Sequence, residues 1–309
     1  MKKQIAIVQP SLCLGGVEKV LVNLLRSFDY SKYDIDLYIT DRNGFFTDKL
    51  PPQVRLFDSS SESSEKKILL NDLKSFKIFD ALKSVYYRIL LELSNNDRKK
   101  HLYSYSKWVD LLSDKEYDSV ISFHGCTYVN NLITLFRLKG KQKIAWVHGD
   151  TPDLCDDDIY SRFDKVFCVS KGAEDLFLKK CPSCIGKTHV VYNIIDTADI
   201  KKKSEEQADD FDYFSFSIVS VGRISSEKGF SLVPEIAKRL NDDGYSYKWY
   251  IVGDGLEKDV IAYECCEKNL SNVIFLGAKK NPYPYMANCN IYVQPSFTEG
   301  FCTTTNEAK

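Results

Sequence analysis

The feature that most constrains this chain is a unit that keeps recurring: a short apolar run, a turn, then apolar residues at helical spacing. Residues 4–9 (Gln-Ile-Ala-Ile-Val-Gln) make the first run, and Gly15-Gly16 make the turn. Val17, Val20, Leu21, Leu24, Leu25 and Phe28 then fall on one helix face. Residues 36–40, 119–123, 143–147 and 165–170 repeat the β-rich run, with helix-compatible segments between them. Strands this continuously apolar are buried on both sides, so the pattern predicts an α/β fold with a parallel sheet covered by helices on both faces.

Residues 197–210 carry almost no apolar residues, and the alternation restarts beyond them. Such a stretch buries too little surface to offset its ordering entropy, so a linker is predicted over 197–211. It separates a domain at 1–196 from one at 212–309, in keeping with about 150 residues per domain in a chain of 309. The second domain is read as strands at 216–221, 247–252, 273–276 and 291–294, with helices at 230–240 and 257–268. A doubly wound unit has about five or six strands, so this one reads as incomplete, with the chain stopping inside the first turn of a helix near Glu307.

Charge excludes some classes of partner. Lys and Arg total 42 against 43 Asp and Glu, a formal net charge of −1, which gives no global attraction to nucleic acid. No run approaches the ~18 apolar residues of a membrane span, and Ile5 to Val8 is too short for the core of a signal peptide. A cytoplasmic location is expected, and with it reduced thiols for the ten cysteines. Residues 66–108 depart from neutrality, with ten Lys/Arg against four Asp/Glu and apolar residues near helical spacing. That basic helix fits either peripheral contact with an anionic membrane or packing on its own domain with a solvated face.

Several motifs sit where strands end. Gly15-Gly16 suit either a plain tight turn or an anion facing a helix N-terminus. Arg223 and Lys228 follow the first strand of the second domain, where Arg grips phosphate oxygens bidentately and Lys adds a mobile point charge. Taken singly, Lys228 reads as a solvated cation. Gly253-Asp254-Gly255 closes the next strand, permitting a turn or close approach of a ligand. In Pro295-Ser296-Phe297-Thr298-Glu299-Gly300-Phe301-Cys302-Thr303-Thr304-Thr305-Asn306-Glu307-Ala308, two carboxylates stand eight positions apart across a loop-to-helix junction. They can accept hydrogen bonds from hydroxyls at opposite ends of a nucleotide sugar, while the amides between them face phosphate. Asp34-Ile35-Asp36, the Asp156-Asp157-Asp158 run and Cys181-Pro182-Ser183-Cys184 lack the spacing or companions of a metal site, so no metal is expected.

Together, Gly15-Gly16-Val17-Glu18, Gly222-Arg223 with Glu227-Lys228-Gly229, Gly253-Asp254-Gly255 and the Glu-Gly-Phe-x5-Glu-Ala run from Glu299 resemble the retaining glycosyltransferases of family 4, which have the GT-B fold. The resemblance implies two Rossmann-like domains holding a nucleotide-sugar donor, with the acceptor on the N-terminal side. It implies that Arg223 and Lys228 hold the donor diphosphate, with Gly15, Gly16 and Gly253 among the donor-binding residues. By the same resemblance Glu307 takes the ribose hydroxyls and Glu299 a sugar hydroxyl, beside the amides of Gly300, Phe301 and Cys302, while those of Thr303 and Thr304 face phosphate. His148 would touch the transferred sugar, with His124 as its rival on the acceptor side; a lone histidine at a strand end is otherwise structural. The expected reaction is metal-independent, cofactor-free transfer of a sugar, from a UDP-sugar, to a glycan or polyprenol-linked acceptor in capsule or O-antigen assembly. An inactive remnant or binding partner is the alternative, and the Glu299 and Glu307 pattern argues against a sugar-nucleotide epimerase. One departure from the family pattern is Ile194 after Asn193, where a glycine is usual, so a differently turned hinge is expected.

Overall fold

Among the described residues each strand is parallel to its neighbours, and the strands form two separate sheets. The computed structural model describes residues 1–13, 15–41, 44–58, 112–125, 128–149 and 156–309. The basic stretch 66–108 lies outside them. The chain divides into units Met1–Ile194 and Ile195–Lys309.

The first unit runs β1 (Lys3–Ser11), α1 (Gly16–Ser27), β2 (Tyr33–Asp41), β3 (Arg55–Asp58), β4 (Ser113–Ser122), α2 (Tyr128–Leu132), β5 (Leu138–Val147), α3 (Asp157–Tyr160), β6 (Lys165–Cys168), α4 (Lys171–Lys180) and β7 (Thr188–Val190). Its sheet has the order β3-β2-β1-β4-β5-β6-β7 among the described residues. β1 lies inside the sheet, between β2 and β4, with Ile5, Ala6, Ile7 and Val8 buried on both faces. α1 closes one face with Val20, Leu21, Val22 and Leu25. The sequence reading omits β3 and β7, which are outer strands of four and three residues without an apolar run. The 165–170 run stops at Cys168, and Ser170 instead caps α4 by accepting from Ala173 N at 3.1 Å.

The Asp34-x-Asp36 carboxylates are committed to protein partners. Asp36 is buried and accepts from Arg55 Nε (2.6 Å), Lys115 Nζ (2.8 Å) and the Tyr117 hydroxyl (2.7 Å). Asp34 accepts from Gln4 Nε2 at 2.8 Å. Of the Asp156-Asp157-Asp158 run, Asp156 caps α3 and Asp157 accepts from Ser183. Among the described residues no cluster of His, Cys, Asp and Glu is arranged to hold a metal ion. The eight cysteines among them are free, and no described helix is long and apolar enough to cross a membrane.

The second unit runs α5 (Thr197–Ser204), β8 (Ser217–Val221), α6 (Val233–Asp242), β9 (Lys248–Val252), α7 (Lys258–Glu267), β10 (Val273–Gly277), α8 (Tyr283–Asn288), β11 (Ile291–Tyr292) and α9 (Thr303–Ala308). The sheet order is β10-β9-β8-β11. Alternation along the strands builds a core on each face. Ile218, Trp249 and Ile251 pack with Val233 and Ala237 of α6, while Val219, Val221, Tyr250 and Val252 pack with Tyr283, Tyr285 and Met286.

Two expectations need correction here. The expected linker 197–211 is largely structured: Asp196 caps α5 by accepting from Asp199 N at 3.0 Å, and Ala208 and Phe211 are buried in the second core with Ile200 against it. Three of its few apolar residues, Ile200, Ala208 and Phe211, go inward while Ala198 stays exposed, an arrangement that mean composition conceals. The last helix begins at Thr303, not near Glu307, which therefore lies in its second turn. Ile194 carries no positive φ, so the chain passes from one unit to the next without a left-handed residue there.

Candidate functional site

In an open parallel sheet, the loops leaving two adjacent strands diverge where the strand order reverses, and the gap at their carboxyl ends holds ligands. In the second unit that point is between β8 and β11, since β9 lies on the other side of β8. The loop after β8 carries Arg223 and Lys228, and the loop after β11 carries Gln294 to Cys302.

Backbone contacts join these loops. Phe297 N donates to Glu227 O at 3.0 Å. Gly229 has φ +66°, and a Cβ there would lie 2.1 Å from Pro295 O, so both its conformation and its neighbour require glycine. Gly253 serves backbone packing too: a Cβ would come within 1.8 Å of Gly222 O, which makes its glycine a spacer between the exits of β8 and β9.

The side chains follow. Lys228 Nζ donates to Glu299 Oε1 at 2.7 Å, with the two side chains 26% and 22% exposed. Ser296 Oγ donates to the same oxygen at 2.7 Å and accepts from Gln294 Nε2 at 2.9 Å. Gln294 Oε1 accepts from the Tyr292 hydroxyl (2.8 Å) and Thr304 Oγ1 (3.1 Å). Arg223 is exposed and makes no hydrogen bond or ion pair among the described residues. The Glu227 carboxyl is held below its usual range, first by the Ser225 hydroxyl and then by the charges of Lys228 and Arg223. A partly exposed ion pair is worth on the order of 1 kcal/mol or less, so Lys228 can exchange its carboxylate for a phosphate at little cost.

The chain then turns through Gly300, Phe301 and Cys302 into α9. Cys302 has φ +51°, a left-handed conformation uncommon outside glycine that costs on the order of 1 kcal/mol. It is held there by Asn306, whose Nδ2 donates to Phe301 O (2.9 Å) and Cys302 O (3.1 Å). Thr303 opens α9, and the Thr304 hydroxyl is turned onto Gln294. Glu307 meets the hydroxyl of buried Tyr283, a phenol pushed well above its ordinary range by burial and then by the Glu307 charge.

In the first unit, His124 and His148 follow the paired strands β4 and β5. Gly125 N donates to Trp146 O at 2.8 Å and Asn131 Nδ2 donates to Gly125 O at 2.7 Å, fixing the turn beside His124. The His148 ring lies 4.5 Å from that of Phe123 and stacks on Trp146 at 5.8 Å. Both its nitrogens are buried without a hydrogen-bond partner among the described residues. Burial, with a lesser contribution from His124, lowers its pKa to about 3, and burial lowers that of His124 as well. At Gly15-Gly16 the Glu18 side chain folds back: a Gly15 Cβ would lie 2.2 Å from Glu18 Oε2, whereas a Gly16 Cβ would meet nothing within 4 Å. With a carboxylate already at that turn, the plain-turn alternative is the one the geometry favours.

Gln294 and Ser296 were not singled out by sequence reasoning. The available signal was a glutamine at the end of an otherwise apolar strand, two residues before a serine.

Residues 201–309, within the second unit, match the family model of glycosyl transferases group 1. Among curated relatives, the N-acetylgalactosamine-N,N'-diacetylbacillosaminyl-diphospho-undecaprenol 4-alpha-N-acetylgalactosaminyltransferase of Campylobacter jejuni is 32% identical over 151 residues, 48% of this chain and 40% of that protein. The O-antigen biosynthesis glycosyltransferase WclY of Escherichia coli is 27% identical over 154 residues, 48% of this chain and 42% of that one. These matches span less than half the length of either relative. Anabaena Alr3699/HepE, solved in complex with UDP and glucose, superposes with a TM-score of 0.65 at 16% identity, covering 99% of this chain and 78% of that one. The lipopolysaccharide outer core galactosyltransferase WaaB superposes with a TM-score of 0.62 at 20% identity, covering 99% and 77%. At these identities the likeness shows the fold, the two-unit α/β architecture of GT-B glycosyltransferases.

Proposed function

We propose that this protein transfers a sugar from a nucleotide-sugar donor, a UDP-sugar, to a glycan or lipid-linked acceptor in surface polysaccharide assembly. The observation that carries the reading is Lys228 beside Glu299 at the β8–β11 switch point. It brings a cation for a diphosphate and an acceptor for a sugar hydroxyl together where a parallel sheet binds ligands. The names of the relatives support the acceptor class, and the UDP complex of a structural neighbour supports the donor.

In the reaction, the bond from the anomeric carbon to the β-phosphate oxygen breaks and the acceptor oxygen bonds to that carbon. The acceptor proton passes to the departing phosphate. Negative charge grows on the diphosphate, where Arg223 and Lys228 stabilise it without a metal. Glu299 orients the sugar, Glu307 takes the ribose hydroxyls, and attack from the face the phosphate leaves retains configuration. His148 and His124, in the first unit, would serve the transferred sugar and the acceptor; both are neutral imidazoles at neutral pH, suited to hydrogen bonding rather than to holding charge.

The test is incubation with UDP-sugars and polyprenol-linked glycan acceptors, with the product analysed by mass spectrometry and the anomeric configuration by NMR. Retained configuration and turnover in EDTA are expected. An inverted product, or activity restored only by a divalent ion, removes the corresponding part of the mechanism.

A further inference from the structure

We propose that Ser296 and Gln294 are positioning residues that keep Glu299 turned to the donor sugar when Lys228 leaves it for the diphosphate; this rests on the glycosyltransferase reading above. Proton direction fixes the order of these hydrogen bonds. An ionised carboxylate only accepts hydrogen bonds, so Ser296 must give its single hydroxyl proton to Glu299 Oε1. Its oxygen can then only accept, which obliges Gln294 to present Nε2 to it. Gln294 Oε1 consequently faces the hydroxyls of Tyr292 and Thr304, which must donate. The chain of donors starts on β11 and α9, so it is anchored in regular elements rather than in the loop it serves.

The consequence falls on Glu299. Oε1 takes both Ser296 and Lys228, whereas Oε2 has no hydrogen bond among the described residues. When Lys228 transfers to phosphate, the Ser296 bond still pins Oε1, and Oε2 remains the oxygen open to a sugar hydroxyl. Without Ser296 the carboxylate would lose its only neutral anchor among the described residues at the moment the donor binds.

The experiment measures binding by calorimetry for UDP and GDP and for a panel of UDP-glucose, UDP-galactose, their N-acetylated forms and GDP-mannose. Ser296→Ala is expected to bind the free nucleotide within about twofold of wild type and the preferred nucleotide-sugar about tenfold more weakly. Ser296→Thr, which keeps the hydroxyl, restores the sugar-nucleotide affinity. Gln294→Glu shows the same selective loss, because a carboxylate cannot donate to Ser296 and draws its proton away. Equal weakening of nucleotide and nucleotide-sugar, or no weakening of either, overturns the positioning role. A wild-type protein that binds none of the panel overturns the glycosyltransferase reading and this inference with it, a result visible before any variant is made.

Discussion

Lys228 and Glu299, separated by 71 positions in sequence, form a 2.7 Å ion pair through Nζ and Oε1. The pair joins the loops leaving two adjacent strands, so one contact links the residue proposed for the diphosphate to the residue proposed for the sugar. Removing the cation should expose the departing phosphate to uncompensated charge. Lys228→Ala is expected to lower kcat for sugar transfer about 100-fold or more, as loss of one transition-state donor does elsewhere. Steady-state kinetics measure it, and unchanged turnover would falsify the electrostatic mechanism.

The same pair sets the behaviour of the carboxylate. Glu299→Gln leaves Lys228 without its anionic partner, so UDP should bind as well as before or up to about fivefold tighter, the value of a partly exposed ion pair. Transfer from the nucleotide-sugar should nevertheless fall. Calorimetry with UDP, set beside kinetics, separates the two effects; weaker UDP binding would mean that Lys228 and the diphosphate do not compete with Glu299.

Two glycines should respond in opposite directions. Gly229→Ala meets both a positive φ and the Pro295 carbonyl, so a loss of more than about 1 kcal/mol of stability is expected, together with weaker nucleotide binding. Gly16→Ala has open space at the start of α1, so a gain of up to about 1 kcal/mol is expected. Urea denaturation compares them. Loss of nucleotide binding in Gly16→Ala would revive the anion site at that turn.

His148 gives a signed pH dependence. Its folded pKa is about 3 and an unfolded imidazole titrates near 6.5, so between these values the unfolded chain binds the proton and the folded chain does not. Stability therefore falls as pH falls from 6.5 toward 3, by up to about 1.4 kcal/mol per unit from this residue, and above 6.5 it contributes no slope. From pH 7 to pH 5 the loss should be about 2 kcal/mol smaller in His148→Phe than in wild type. Parallel losses in the two proteins would show that the imidazole is reached by solvent.

Much of the architecture was legible because buried parallel strands advertise themselves. Ile5 to Val8 and Ile218 to Val221 carry apolar residues on both faces and could hardly be anything else. β7 was not legible, since three outer residues with a histidine in the middle carry no such run. α5 was hidden for another reason: Asp196 and Asp199 look like loop composition until one is seen capping the helix and the other paired with Lys203. At the site, Lys228 and Glu299 could be named from motif position, but their contact could not. It depends on β8 and β11 being neighbours, and sheet order is not encoded in the spacing between strands.

The close approach of Gly229 to Pro295 has a mechanical result. Two strips of main chain in contact, with no side chain between them to yield, cannot slide past each other, and whatever tugs on one displaces its companion. Under the proposed roles, recognition of the pyrophosphate and recognition of the carbohydrate would fall to one stiff part, so a guest that satisfies only half of it would still set the stance of the other half.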